Sequence, residues 1–105
     1  MNEYIDTILL KVIATGDYYG YSISKTVSDL TDGAYEIKEA TLYSGLRRLE
    51  AARLIASYWG DESQGGRRKY YTLTQRGREV LSESIEQWEK TKELMGKILE
   101  WGNEQ

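Results

Sequence analysis

The chain has no cysteine and no histidine. Those two absences remove disulfides, thiolate and imidazole metal sites, and every nucleophile arrangement that pairs serine or cysteine with histidine. No run of about eighteen apolar residues occurs, so no bilayer-spanning helix and no membrane partner are expected. The opening stretch MNEYIDTILLKVIATG carries acids where a secretion signal would carry cations, which leads to the expectation of a cytoplasmic protein. Carboxylates and tyrosines are the only acid–base groups left, and no carboxylate cluster stands out, so an enzyme is not expected. What is present is 105 residues, 40% hydrophobic and 30% charged, an ordinary globular composition for one domain around one core.

The net charge of −3 hides a segregation. From Lys38 to Arg78 there are nine cations and four acids, a local +5, whereas the remainder holds five cations and thirteen acids, a total of −8. Segregated positive charge is the electrostatic footprint of a polyanion-binding surface, although a charge run is more often a solvated face.

Apolar residues Ile5, Ile8, Leu9, Val12 and Ile13 recur at helical spacing before Gly16 and Asp17, predicting a first helix. In GYSISKTVSDLTDG, Ser22 is the expected cap, Ile23, Val27 and Leu30 form the inward stripe, and Gly33 lies just past the end. In KEATLYSGLRRLEAARLI, Leu42, Leu46 and Leu49 share one stripe of a third helix that Ala52 and Leu54 finish. Three short helices in succession suggest a helix-turn-helix core. LIASYWG and KYYTL are short and rich in β-favouring residues, and Gly65 and Gly66 between them suit a turn, so a two-stranded antiparallel hairpin is expected.

From Thr74 to Trp101, Leu81, Ile85, Trp88, Met95 and Leu99 follow a heptad seam in which Lys92 takes one place. At about 1.5 Å per residue this helix is roughly 40 Å long, more than a core of about seventy residues can cover. A homodimer through that seam is expected; the single-chain alternative folds the helix back over the first one. The fold class is mostly α with a β wing. Residues 1–73 form a winged helix-turn-helix domain whose first helix also supports the dimer, and residues 74–105 form a long C-terminal dimerisation helix of the same compact unit.

In this order of elements SQGGRR is the wing. Gly65 and Gly66 let the backbone turn and approach a groove, Arg67 and Arg68 reach phosphates or the minor groove, and Lys69 adds a phosphate contact. With its leucines inward, the third helix turns Ala40, Thr41, Ser44, Arg47 and Arg48 outward, and Lys38 precedes them. Thr41 and Ser44 can bond phosphates or base edges, and Arg47 can reach guanine N7 and O6. The bland alternative for Arg47 and Arg48 is a solvated face paired with acids such as Glu50. Tyr43, about 100° from the stripe, is expected half buried with its hydroxyl at the DNA backbone. Tyr70 and Tyr71 point to opposite faces of a strand; core is the expected role for both, as it is for Trp59.

ATLYSGLRRLEAARLI followed by GGRRKYYTLTQRG resembles the PadR family of bacterial transcriptional repressors. That pattern runs from TLY through a leucine-spaced RLE to a wing with paired glycines, then RKYY-LT-G before the last helix, and the likeness extends from Leu9 to Leu99. SYWGDESQGGRRKYYTLT is most similar to the short, multidrug-binding LmrR-type members. The resemblance implies a dimeric winged-helix repressor acting on double-stranded promoter DNA. It also implies that planar aromatic compounds bind at the dimer interface between paired tryptophans. Trp88 in SIEQWEKTK matches that tryptophan by position, with Thr7 and Ile85 as neighbours. Lys92 stands where those members carry an acid suited to cationic drugs, so neutral or anionic compounds are expected instead. KEATLY departs from the family in lacking a proline or serine before TLY.

Three functions remain open on the sequence: a repressor released by a ligand, a DNA-binding dimer with a packed interface and no ligand, and a winged-helix module that binds a protein. No cofactor is expected.

Overall fold

A computed structural model describes residues 2–60 and 66–103, and in it α1 (Asn2–Ala14) is the element around which the rest packs. Ile5, Leu9, Leu10, Val12 and Ile13 are all buried, so this helix is apolar on more than one side. It touches α2 (Gly20–Leu30), α3 (Glu39–Ala51), β3 (Lys69–Leu73) and α4 (Gln75–Glu100).

Extended Tyr19, not Ser22, is the N-cap of α2. Ser22 acts from inside the first turn, where its Oγ accepts the Tyr19 N–H at 3.0 Å and donates to the Tyr19 carbonyl at 2.7 Å. Ile23 and Val27 are buried as expected, but Leu30 is 76% exposed, because the stripe outruns the helices on which it packs. Both α2 and α3 end in the same closure, with a non-glycine residue in the left-handed region. In α2 that residue is Asp32 (φ 51°), and the Gly33 N–H bonds the Ser28 carbonyl at 2.8 Å. In α3 it is Arg53 (φ 63°), and the Leu54 N–H bonds the Leu49 carbonyl at 3.0 Å. The third helix thus stops at Ala51, short of the expected Ala52 and Leu54, and Leu54 enters the core from just beyond the turn.

The sheet has three strands, not two. β1 (Tyr18–Tyr19) and β2 (Ile55–Trp59) flank β3 in the order β1-β3-β2, all antiparallel. Tyr18 lies opposite Tyr71 and Tyr19 opposite Tyr70, while the hairpin register runs from Ile55 opposite Leu73 to Trp59 opposite Lys69. Ile55 and Tyr71 reach the core. Trp59 does not: it is 56% exposed, since the hairpin continues past the last core layer.

Two devices anchor the start of α4. Thr74 caps it, accepting the Gly77 N–H at 3.0 Å while its hydroxyl donates to the Arg53 and Leu54 carbonyls at 2.8 and 3.0 Å. Gly77 lies so close to the Leu54 carbonyl and the Leu73 side chain that a Cβ would overlap both. Leu81 completes the core, and α4 then runs antiparallel along α1 until Tyr4 meets Trp88 edge-on, with ring centres 5.6 Å apart. Beyond Trp88, Leu94, Met95, Ile98, Leu99 and Trp101 are exposed. The radius of gyration is 16.5 Å, against about 13 Å for a compact domain of this length, and the long axis reaches 64 Å. The near half of α4 thus folds over α1, as in the single-chain alternative, and the described residues of the chain leave the far half uncovered. No helix among the described residues is long and apolar enough to cross a membrane.

Candidate nucleic-acid interface and aromatic cleft

The outward face of α3 begins at Lys38, whose carbonyl accepts the Leu42 N–H at 2.9 Å and which brings no capping oxygen. The first-turn N–H groups therefore form the positive end of the helix, suited to a phosphate. Ala40, Thr41, Ser44 and Arg48 line a shallow hollow of about 220 Å³ there. Arg47 is exposed, and among the described residues neither Arg47 nor Lys38 forms an ion pair. Arg48 differs. Its Nη2 pairs with Asp6 Oδ1 of α1, a hydrogen bond that pushes the guanidinium pKa up. One of the outward cations is thus committed to the protein's own scaffold. The half-buried Tyr43 ring crosses from α3 to α2, where its hydroxyl rests against Gly20, on which a Cβ would overlap it. Tyr43 is half buried as expected, and its ring spans the two helices.

The wing cations are seated on aromatic rings. The Arg67 guanidinium lies 5.6 Å from the Trp59 ring centre, Arg68 lies 4.5 Å from Tyr19, and the Lys69 ammonium lies 5.9 Å from Tyr71. Contacts of this kind contribute about 0.5–1 kcal/mol each at exposed sites and limit where the cation can go. Strand alternation explains the sorting. Arg67, Lys69 and Tyr71 share one face with Trp59; Arg68 and Tyr70 share the other with Tyr19 and Tyr58. On that second face Tyr70 stacks on Tyr58 with ring centres 5.7 Å apart and meets Tyr19 edge-on at 5.7 Å. The Tyr58 hydroxyl donates to Asp17 at 2.5 Å, and this bond raises its phenol pKa. Gly66 takes a positive φ of 92°, as a tight wing turn requires, whereas Gly65 lies outside the described residues.

Glu50 connects α3 to the wing, accepting the Ser57 hydroxyl at 2.5 Å with Lys69 Nζ at 3.9 Å. The sequence reading gave Glu50 only as a partner for arginines; its actual partners come from the hairpin register, which sets Ser57 and Lys69 beside it.

A second site lies between α1 and α4, a cleft of about 710 Å³. Thr7, Ile85 and Trp88 line it together, as expected, along with Tyr4, Ile8, Ser84, Gln87 and Thr91. Lys92 does not. Its ammonium pairs with Glu89 at 3.2 Å, whereas Thr91 lies on the wall. Among the described residues the lining therefore carries no charged side chain. Tyr35, from the connection between α2 and α3, also lines the cleft, and no helical period could have placed it there. Of the seam residues, Leu81 is buried in its own chain and leaves little surface for a partner, a correction to its expected interface role; Ile85, Trp88, Met95 and Leu99 remain exposed.

The model of the transcriptional regulator PadR-like family matches residues 9–83. A transcriptional regulator from Clostridium thermocellum is 45% identical, with a TM-score of 0.84 over 90% of this chain and 92% of that one. A PadR family transcription regulator from Clostridium difficile R20291 is 38% identical, with a TM-score of 0.80 over 91% of this chain and 98% of that one. Bacillus subtilis PadR, solved in complex with operator DNA, shares the fold at 21% identity and a TM-score of 0.70, over 77% of this chain and 46% of that one.

Proposed function

The chain belongs to the transcriptional regulator PadR-like family, regulators rather than enzymes, and from that premise we propose that it represses transcription in the cytoplasm by binding promoter DNA as a homodimer. The observation that carries this reading is the pairing of an outward α3 face bearing Lys38, Thr41, Ser44 and Arg47 with wing cations each seated on an aromatic ring. The fold is one that Bacillus subtilis PadR brings to operator DNA. Arg47 reads base edges, Thr41 and Ser44 bond phosphates or bases, and Arg67, Arg68 and Lys69, around Gly65 and Gly66, contact the backbone or minor groove. Residues 1–73 read the DNA and residues 74–105 join the two copies through Ile85, Trp88, Met95 and Leu99. Exposed large apolar residues along the far half of α4 support that association.

A second layer rests on the cleft. Its uncharged walls and the edge-on Tyr4–Trp88 pair favour a neutral planar aromatic ligand that releases the repressor, as the LmrR-type resemblance implies.

The test of DNA binding is a fluorescence-anisotropy titration of a duplex from the promoter of the protein's own operon, at several salt concentrations, against a random duplex. Tight, salt-dependent binding that prefers the promoter is expected. Replacing Arg67 and Arg68 by alanine removes four cations from the dimer and should flatten the salt slope by about four units. Absence of binding at low salt would leave the wing as a protein-docking surface and reduce the likeness to one of fold.

A further inference from the structure

The cleft and the DNA-facing helix share a short piece of chain. Tyr35 lines the cleft with Thr7 and Trp88, and three residues later Lys38 begins α3. The backbone of Tyr35 is tied to the end of α2: its N–H donates to Thr31 Oγ1 at 3.1 Å, and that hydroxyl reaches the Tyr35 carbonyl at 3.3 Å. Ile37, between Tyr35 and α3, is buried in the core. This strap is thus held on both sides of Tyr35, by Thr31 before it and by buried Ile37 after it, so a displacement of its backbone is passed on toward α3.

Arg48, gripped by Asp6, holds the C-terminal half of α3 against α1. A shift of the strap is therefore expressed at the other end of α3, where Lys38 and Thr41 lie.

We propose that Tyr35 is the residue through which occupancy of the cleft alters DNA affinity. A ligand seated on Trp88 also touches Tyr35, favours one position of the strap over another, and so biases the start of α3 toward or away from its DNA-bound position. Differential contact of this kind is what a ligand needs to shift a conformational equilibrium, and the resulting coupling acts equally in both directions. The proposal rests on the cleft reading and deepens it by naming the residue that carries the signal.

The experiment uses Nile red, a neutral, planar, fluorescent aromatic probe of the class the cleft reading calls for, with its effect on the duplex alone measured as a control. The affinity of the full chain for the promoter duplex is measured with and without saturating probe, in the parent protein, Tyr35→Ala, Tyr35→Phe and Trp88→Ala. The parent should show a change in duplex affinity of about fivefold or more. In Tyr35→Ala the ratio should fall to about one while binding without probe persists, and Tyr35→Phe, which keeps the ring, should retain the parental ratio. The readout is taken at saturation, so a weaker probe affinity is met with more probe. A parental ratio preserved in Tyr35→Ala, or a ratio of one in the parent, overturns the inference but leaves the cleft as a binding site. Failure of the parent to bind the probe, or binding that survives Trp88→Ala, overturns the cleft reading and the inference with it.

Discussion

The two halves of α4 carry the same kind of apolar spacing and have opposite surroundings. In the near half Gly77 and Leu81 are buried, Thr74 ties the helix to the end of α3, and Trp88 meets Tyr4. In the far half Leu94, Met95, Ile98, Leu99 and Trp101 face solvent. Helical stability in proteins comes chiefly from packing an apolar face, so a stripe that the described residues of its own chain leave exposed supports the proposed self-association. Periodicity thus identifies the adhesive face, and only the extent of the core decides which part of it the chain itself can cover.

The strongest way to break the contrast is at Gly77. A methyl group there would overlap the Leu54 carbonyl and Leu73, so Gly77→Ala should destabilise the protein by about 3 kcal/mol in urea unfolding, the upper range for overpacking. The far half should respond differently. Met95→Asp with Leu99→Asp should weaken self-association by about thirtyfold in sedimentation, as loss of a hot spot of roughly 2 kcal/mol does, with monomer stability nearly unchanged. A dimer that persists would place the interface elsewhere. Removing the cap with Thr74→Ala should cost about 1 kcal/mol, again felt in the near half alone.

The smallest effect separates the halves by pH. Tyr71, on the strand beside α4, has its phenol pKa raised above the usual 10.0, first by burial and then by Glu50. A raised folded-state value contributes stability that is fully present below about pH 10 and is lost as pH rises through the folded-state pKa. Urea midpoints should therefore fall on the alkaline side, and Tyr71→Phe should flatten that limb. Tyr71 lies in the sheet and not on the exposed half of α4, so Tyr71→Phe should leave self-association unchanged.

The order of helices, the wing hairpin and the last helix were legible because each rests on local chemistry: leucine spacing, paired glycines, a sustained apolar seam. Features that depend on where the core ends were not. Leu30 and Trp59 have the composition of core residues, and both overshoot the packing surface. β1 has two residues, too few for any alternation to register, and it exists because Tyr18 and Tyr19 pair with Tyr71 and Tyr70. The rings that hold Arg68 and Tyr70 on the outer face became visible only with that strand in place. Lys92 was set beside Trp88 by its place one helical turn on, but its pairing with Glu89 and the absence of its side chain from the cleft's lining could be seen only in three dimensions. Arg48 was placed on the outward face by angle, where it stays exposed, but its pairing with Asp6 of the first helix depends on the fold and not on the spacing.

The close seat of Gly77 on the Leu54 carbonyl also has a mechanical meaning. It is the fulcrum of a lever: α4 extends 26 residues from Gln75, roughly 39 Å, so a tilt of about 5° at that contact moves the far end by about 3 Å. A displacement that size exceeds what a packed apolar interface absorbs, and the fit of one glycine against one carbonyl thereby sets how two copies would align their reading heads.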